Sequence, residues 1–312
     1  MKCIFGIDIG GTNIKFGKFV DGKLVKNFQV KTNSNPNNPI YPIVEQIVDI
    51  IIKNLDENDK LEGVGIGVPG PVVNGVVKGA QNIYWEEVDF QKYLEEEFDK
   101  KNISDFKLVI LNDANAATLG EWSFGKGSKV PNMVFVTLGT GIGGGIIVNG
   151  KLLEGVTGSA GEIGHIKLFP FDGRQCSCGL KGCLEQYASA TGITKTAYGM
   201  IKNGETILKD KKHLNAKEIF DAAKTGDAIA LEIVDKTAYY LAIGLACVAN
   251  TLNPSKIILG GGVSKAGEIL LDNVNKYFKE LAFYSITETE IELATLFNDA
   301  GIYGCYSAVK EL

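Results

Sequence analysis

The chain has 312 residues, 45% of them hydrophobic and 22% charged, which suits two compact domains and excludes a disulfide miniprotein or a disordered chain. Its 32 Lys and Arg against 37 Asp and Glu leave a net charge of −5 and a pI near 5.3, so no basic field recommends a nucleic acid or a membrane surface as partner. Glycine stands out at 38 residues, above the usual ~7%; without a collagen period this implies tight turns or close backbone approaches to a ligand.

The opening Met1 to Asp8 brings charge too early for a secretory core, and a cytoplasmic protein is expected. Two uncharged stretches, Val130 to Gly150 and Thr237 to Ser255, read as buried soluble segments, because the first is broken by glycines and the second ends in Asn250, Asn253 and Pro254. Cys3, Cys247 and Cys305 are scattered in apolar surroundings while three other cysteines crowd together, which suits a reduced compartment with one metal site and no disulfides.

In chain order, the pattern predicts strands over Lys2 to Asp8, Ile14 to Val20 and Leu24 to Val30, with a turn at Asp21-Gly22, then a helix from Ile40 to Leu55. A strand at Gly63 to Val68, a charged helix from Phe90 to Lys101 and a buried strand at Lys107 to Leu111 follow. After Asn112 the same grammar restarts: a helix to about Phe124, a strand from Met133 to Leu138, a glycine turn and a hairpin around Asn149-Gly150. Helices are expected near Thr191 to Lys202, Ala216 to Lys224 and Ala228 to Leu252. The strand Lys256 to Leu259 runs through a glycine turn into a helix reaching Leu281, and the strand Glu290 to Ala294 and the helix Ala300 to Lys310 close the chain. Two α/β lobes sharing a cleft are expected, with a boundary near Asn112 and the last helix packing back on the first lobe.

Three glycine turns follow apolar strands: Asp8-Ile9-Gly10-Gly11-Thr12-Asn13, the run Gly139 to Gly145 containing Thr140 and Gly141, and Gly260-Gly261-Gly262. Each is open to two readings, a plain bend or a phosphate cradle, and a carboxylate such as Asp8 can hold a hydrated cation beside one. Gly65 to Gly70 and Gly139 to Gly144 match the dinucleotide spacing but open no helix in a βαβ unit, and no P-loop sequence is present.

His165 with Cys176, Cys178 and Cys183 supplies three thiolates and one imidazole, the donor set of a closed structural zinc site with no position left for a catalytic water. The other histidine, His213, falls in the polar run from Lys209 and reads as a solvated loop. Asp113 ends a strand and opens a helix, where an N-cap and a catalytic carboxylate are both open. Glu162 and Glu185 flank the metal ligands, where folding around zinc would fix them as hydroxyl acceptors; ordinary surface charge is the plainer reading.

Over essentially its whole length the chain resembles the ROK-family sugar kinases, closest in style to the bacterial glucokinases of that family. The resemblance rests on Asp8 to Asn13, Gly70-Pro71, Asn112-Asp113, the run from Leu138 through Gly155 and Gly161 to Gly164-His165, and Cys176-x-Cys178-Gly-x-x-Gly-Cys183-x-Glu185. It implies an α/β, two-lobed actin-like ATPase fold (ribonuclease H-like, of the hexokinase/ROK type) with the active site between lobes. The small lobe would hold 1–112 plus about 298–312, and the large lobe 113–297 with the zinc element at 165–183.

The implied reaction is ATP-dependent phosphorylation of a hexose at its 6-hydroxyl, glucose first, with magnesium and a structural zinc. Kinases of fructose, mannose, N-acetylmannosamine or N-acetylglucosamine are the alternatives within the family, and a non-catalytic sugar-binding regulator lies outside the enzyme class. The sugar site would be built from Asn112, Asp113, Glu162, His165 and Glu185, with Asn82 and the backbone at Gly70 as further contacts and Asp113 as general base. Gly10, Gly11, Thr12, Asn13, Thr140 and Gly141 would cradle phosphates, Asp8 would position magnesium, and Gly261 and Gly262 would lie beside the nucleotide. Asn13 stands where the family often carries lysine. A homodimer is implied, with no nucleic acid and no membrane among its partners.

Overall fold

The computed structural model describes residues 1–127, 129–202, 204–211 and 213–311. The chain begins with strands β1 (Lys2–Ile9), β2 (Asn13–Val20) and β3 (Lys23–Lys31), helix α1 (Tyr41–Lys53), strand β4 (Lys60–Val68) and three short strands, β5 (Val72–Val73), β6 (Val76–Lys78) and β7 (Glu87–Asp89). Helix α2 (Phe90–Lys100), strand β8 (Lys107–Asn112) and helix α3 (Asp113–Phe124) follow. Next come β9 (Met133–Leu138), β10 (Ile142–Val148), β11 (Lys151–Leu152), α4 (Glu185–Ala188), α5 (Ala190–Met200), α6 (Ala216–Lys224) and α7 (Ala228–Leu252). Strand β12 (Lys256–Gly260), helices α8 (Gly261–Ser264) and α9 (Glu268–Leu281), strand β13 (Glu290–Leu293) and helix α10 (Ala300–Glu311) complete it.

Contacts divide the chain into two compact units, one of Met1–Ser128, Leu152–Ala160 and Asn298–Leu312, the other of Lys129–Lys151 and Gly161–Phe297. In the first, a five-stranded sheet runs β3-β2-β1-β4-β8, with β1, β4 and β8 parallel and β2 antiparallel to both of its neighbours, β1 and β3. Helix α1 turns Ile43, Val44, Ile47, Val48 and Ile51 inward at helical spacing, and α2 adds Phe90, Leu94 and Phe98; both join one core with β1, β2 and β4. Helix α10 packs by backbone approach on the sheet and on α3: a Cβ at Gly6 of β1 or Gly65 of β4 would strike the carbonyls of Ile302 or Cys305, and one at Gly304 would overlap that of Ala116 in α3. That contact ties α3 to α10, so the first unit extends past the boundary near Asn112 expected from the sequence.

The second unit carries a sheet of order β11-β10-β9-β12-β13, in which β9, β12 and β13 are parallel and β10 runs antiparallel to β9. Helix α7 buries Ile233, Val234, Ala238, Leu241, Ala242 and Leu245 against Leu270, Val274 and Phe278 of α9 and Ile219 and Phe220 of α6. No helix among the described residues is long and apolar enough to cross a membrane.

Two expectations are corrected, and one small sheet is added. The glycine run is a turn only over Gly139 to Gly141; from Ile142 it is strand β10, where glycine is used because a Cβ at Gly144 would meet the Gly161 carbonyl and Ile163 of the adjoining segment. The single helix expected after the Gly260-Gly261-Gly262 turn and reaching about Leu281 is instead two, α8 and α9, separated at Gly267, whose φ of +80° lies in the left-handed region. The small sheet β5-β6-β7 was not foreseen, because strands this short carry no usable periodicity.

Candidate active site and metal centre

In the first unit the candidate residues gather at one sheet edge. The parallel registers pair Asp8 with Gly67 and Val68 with Asn112, so the C-terminal ends of β1, β4 and β8 stand side by side. Asp8 and Asn112 are two strand spacings apart, about 10 Å. Ligands of open α/β sheets bind beyond such ends.

The turn between β1 and β2 is tied in place: Gly10 N–H donates to the Asn13 carbonyl at 2.9 Å, and the Thr32 hydroxyl donates to the Gly10 carbonyl at 2.6 Å. Gly11 and Thr12 are exposed. A Cβ on Gly11 would lie 3.2 Å from that of Asn82, which places the turn beside a residue expected to touch sugar. The Asp8 carboxylate accepts from Lys15 Nζ at 3.1 Å, its cross-strand partner, and lies against Gly301 in the first turn of α10. Lys15 also donates to the Asn298 carbonyl at 2.9 Å. An ammonium and a helix N-terminus thus both border the Asp8 carboxylate.

The structure decides the capping question at β8. Asn112 is the N-cap of α3: its Oδ1 accepts from Ala114 N–H at 2.9 Å and Asn115 N–H at 3.1 Å. Its amide nitrogen donates to the Gly70 carbonyl at 3.0 Å and to Asp113 Oδ1 at 3.0 Å. Asp113 stands exposed as the first residue of the helix, its Oδ1 also accepting from Ala114 N–H at 2.8 Å. Gly70 holds φ +91° with its position closed by the Lys78 carbonyl, so glycine is required there.

In the second unit the C-terminal ends of β9 and β12 are again adjacent, with Thr137 paired to Gly260. A cavity of about 530 Å³ opens beside them, lined by Gly139, Thr140, Gly262, Val263 and Ala266 on one side and Asn215, Lys217, Phe220, Asp221 and Lys224 of the α6 region on the other. Thr140 and Gly262 were expected at a nucleotide; Gly141 and Gly261 do not line the cavity. A Cβ on Gly141 would meet Glu185, and Gly261, at φ +83°, is pressed on the backbone of Leu138. The α6 wall was missed, for its only sequence signal is the Asn215–Glu218 capping box, which marks a helix start and nothing about a ligand.

The donor atoms of His165, Cys176, Cys178 and Cys183 all lie within 4.8 Å of one another. Cys176 Sγ is 3.7 Å from His165 Nδ1, and Cys178 Sγ is 3.6 Å from Cys183 Sγ. Tetrahedral zinc with ordinary bond lengths sets such donors ~3.5 to 3.8 Å apart, so the residues fit the metal. All six cysteines are free of disulfides.

Burial pushes the Cys176 thiol up to about 12, while the Leu180 N–H holds the Cys178 thiol below its ordinary value. Lys167 Nζ donates to Cys183 Sγ at 2.6 Å, which raises the pKa of the lysine and offsets thiolate charge. The imidazole divides its duties. Nδ1 faces the thiols, and Nε2 lies 3.8 Å from Glu162 Oε2. Glu185 Oε1 accepts from Cys176 Sγ at 3.0 Å, so both flanking carboxylates stand on groups of the metal centre. His213 is exposed; Lys212 beside it lies outside the described residues.

A family model described as the ROK family matches residues 4–311. The chain belongs to the ROK family. It is similar to a curated glucokinase of Halalkalibacterium halodurans, 42% identical over 98% of this chain and 94% of the relative, and to one of Thermotoga maritima, 36% identical over 99% and 97%. Among solved structures it is similar to a ROK glucokinase of Streptomyces griseus in complex with glucose and AMPPNP, with TM-score 0.79 and 33% identity, covering 99% of this chain and 100% of that one. This ROK protein has the two-lobed actin-like ATPase fold of those kinases.

Proposed function

We propose that the protein transfers the γ-phosphoryl group of ATP to the 6-hydroxyl of a hexose, glucose first, giving glucose 6-phosphate and ADP. The observation that carries this reading is the setting of Asp113: exposed in the first turn of α3 directly after the Asn112 cap, and oriented by the Asn112 amide and the Ala114 N–H. A carboxylate so held accepts the hydroxyl proton as the bond to phosphorus forms. The similarity to glucokinases along the full chain supports glucose as the acceptor.

Asn112, Glu162, His165 and Glu185 hold sugar hydroxyls in this proposal, with Asn82 and the Gly70 backbone beside them. The N–H groups from Gly10 to Asn13 and around Thr140 and Gly141 meet phosphate oxygens, and the 530 Å³ cavity takes the nucleoside. Gly262 lines it, with Gly261 in the turn beside it. Magnesium, when bound with ATP, neutralises phosphate charge, and Asp8 is the residue proposed to position it. Zinc on His165, Cys176, Cys178 and Cys183 is structural in this reading, leaving His165 Nε2 and the two glutamates to face the sugar. The family resemblance supports a homodimer working in the cytoplasm.

The test is ATP-dependent ADP release by purified protein over glucose, fructose, mannose, N-acetylglucosamine and N-acetylmannosamine. Glucose should give the highest kcat/KM. Preference for another sugar would move the assignment within the kinase class, and sugar binding with no ADP release would replace it by a regulator.

A further inference from the structure

Of the 32 Lys and Arg residues in the chain, Arg174 is the sole arginine. Lysine meets every other need for positive charge, so this position asks for something an ammonium lacks: a planar fork of donors. Arg174 lies two residues before Cys176, half-buried in the loop that carries the cysteines.

Its acceptors are neutral. Nη1 donates to the Gln186 carbonyl at 2.7 Å and to the Gly192 carbonyl at 3.0 Å, and Nη2 donates to Thr196 Oγ1 at 3.0 Å. The guanidinium carbon stands 4.6 Å from the centroid of the Tyr187 ring, and the backbone N–H of Arg174 donates to the Tyr187 hydroxyl at 2.8 Å.

These acceptors lie on both sides of the α4–α5 corner, and α4 begins with Glu185. Gln186 is its neighbour in α4, a helix of only 4 residues that cannot hold itself straight, and Gly192 and Thr196 belong to α5 across the corner at Ser189. One nitrogen draws together carbonyls from both helices. Glu185 Oε1, meanwhile, stands 3.0 Å from Cys176 Sγ, so the carboxylate borders the same cysteine loop that the guanidinium joins to α4.

We infer that Arg174 is a positioning residue for sugar binding: its fork fixes the α4–α5 corner against the metal loop and thereby sets the direction of the Glu185 carboxylate. The inference rests on the proposed sugar-kinase reading for what Glu185 holds. A lysine keeps the charge but offers a point donor. It cannot serve two carbonyls and a hydroxyl in one plane while lying on Tyr187.

Zinc-loaded parent, Arg174→Lys and Thr196→Val proteins are compared for glucose affinity, AMPPNP affinity, metal content and amide exchange. Arg174→Lys should weaken glucose binding by roughly tenfold or more, as expected when a contact group is misdirected by a fraction of an ångström, and should speed exchange from Glu185 to Ile193. AMPPNP affinity and zinc stoichiometry should stay near those of the parent. Thr196→Val, which removes one acceptor, should shift glucose affinity and exchange the same way by less, and it carries the test if Arg174→Lys does not fold. Unchanged glucose affinity and exchange would overturn the inference, as would equal losses toward glucose and AMPPNP, the mark of general loosening. If the parent binds no glucose at all, the sugar assignment fails, and the exchange data alone decide whether Arg174 fixes the corner.

Discussion

A Cβ built on Gly141 would lie 2.7 Å from Oε2 of Glu185, while Oε1 of the same carboxylate accepts from the Cys176 thiol at 3.0 Å. One side chain therefore spans from the metal loop to the glycine turn after β9. The atom in the way at Gly141 is the end of a flexible side chain, so an added methyl displaces Glu185 instead of unfolding the turn.

Gly141→Ala should accordingly raise the KM for glucose by roughly tenfold through the misplaced carboxylate, with little change in Tm. Steady-state kinetics with each substrate varied in turn checks this. A larger effect on ATP than on glucose would show that Gly141 serves the phosphates directly.

Gly11→Val should impair both substrates. The branched side chain would enter the space used by phosphate oxygens and would also press on Asn82, which already stands 3.2 Å from a built Cβ. Binding titrations with AMPPNP and with glucose should both weaken, and a parent-like AMPPNP affinity would reduce the turn to a bend.

Purified protein should carry one equivalent of zinc, and Cys178→Ala should lose most of it. Local order suffers first, because the loop is held by the metal while the sheet and α7 are built independently. Glucose affinity should fall and AMPPNP affinity survive, as measured by calorimetry alongside metal analysis. Since thiols must ionise to bind zinc and burial pushes the Cys176 thiol up to about 12, zinc affinity should rise with pH.

Lys18 tests stability apart from function. Its ammonium is 2.6 Å from Asp59 Oδ2, with side chains 5% and 0% exposed, and removal by Lys18→Met should cost about 3 to 5 kcal/mol by leaving a buried carboxylate unpaired. Burial opposes the charge of Asp59, yet Lys18 and the Asp56 N–H override it and hold its pKa below the ordinary value. Its contribution is thus present above the unfolded carboxylate pKa of ~3.9 and lost as pH falls through the folded value. Burial likewise opposes the charge of Lys18, but its bonds to Asp56 and Asp59 raise its pKa. Its contribution is full below ~10.4 and lost as pH rises through the folded value. Urea unfolding from acid to alkaline pH should show both losses in the parent and blunted ones in Lys18→Met.

Much of the site was legible because its signals are local: glycines directly after apolar strands, and a cysteine spacing that few other structures need. Residues at strand ends follow from this, since Asp8 is the last but one position of β1 and Asn112 the last of β8. Choices between neighbours were not legible. Asn112 and Asp113 can each cap a helix, and only the Gly70 carbonyl accepting from Asn112 decides which does. Nor was the α6 wall of the cavity, made of ordinary helix residues whose role comes from where α6 packs. The run through β10 misled because its glycines serve the passing backbone at Gly161, a contact between distant positions that strand patterns do not record.

The central claim is that Asp113 is the base of an ATP-dependent glucose kinase. Glucose 6-phosphate formation by zinc-loaded parent and Asp113→Asn proteins, with glucose affinity measured on both, tests it most directly. The parent should turn over glucose with ATP, and Asp113→Asn should bind glucose comparably, keep its fold through the Asn112 cap and lose roughly 10²-fold or more in kcat. Parent-like turnover by a folded Asp113→Asn protein would contradict the account.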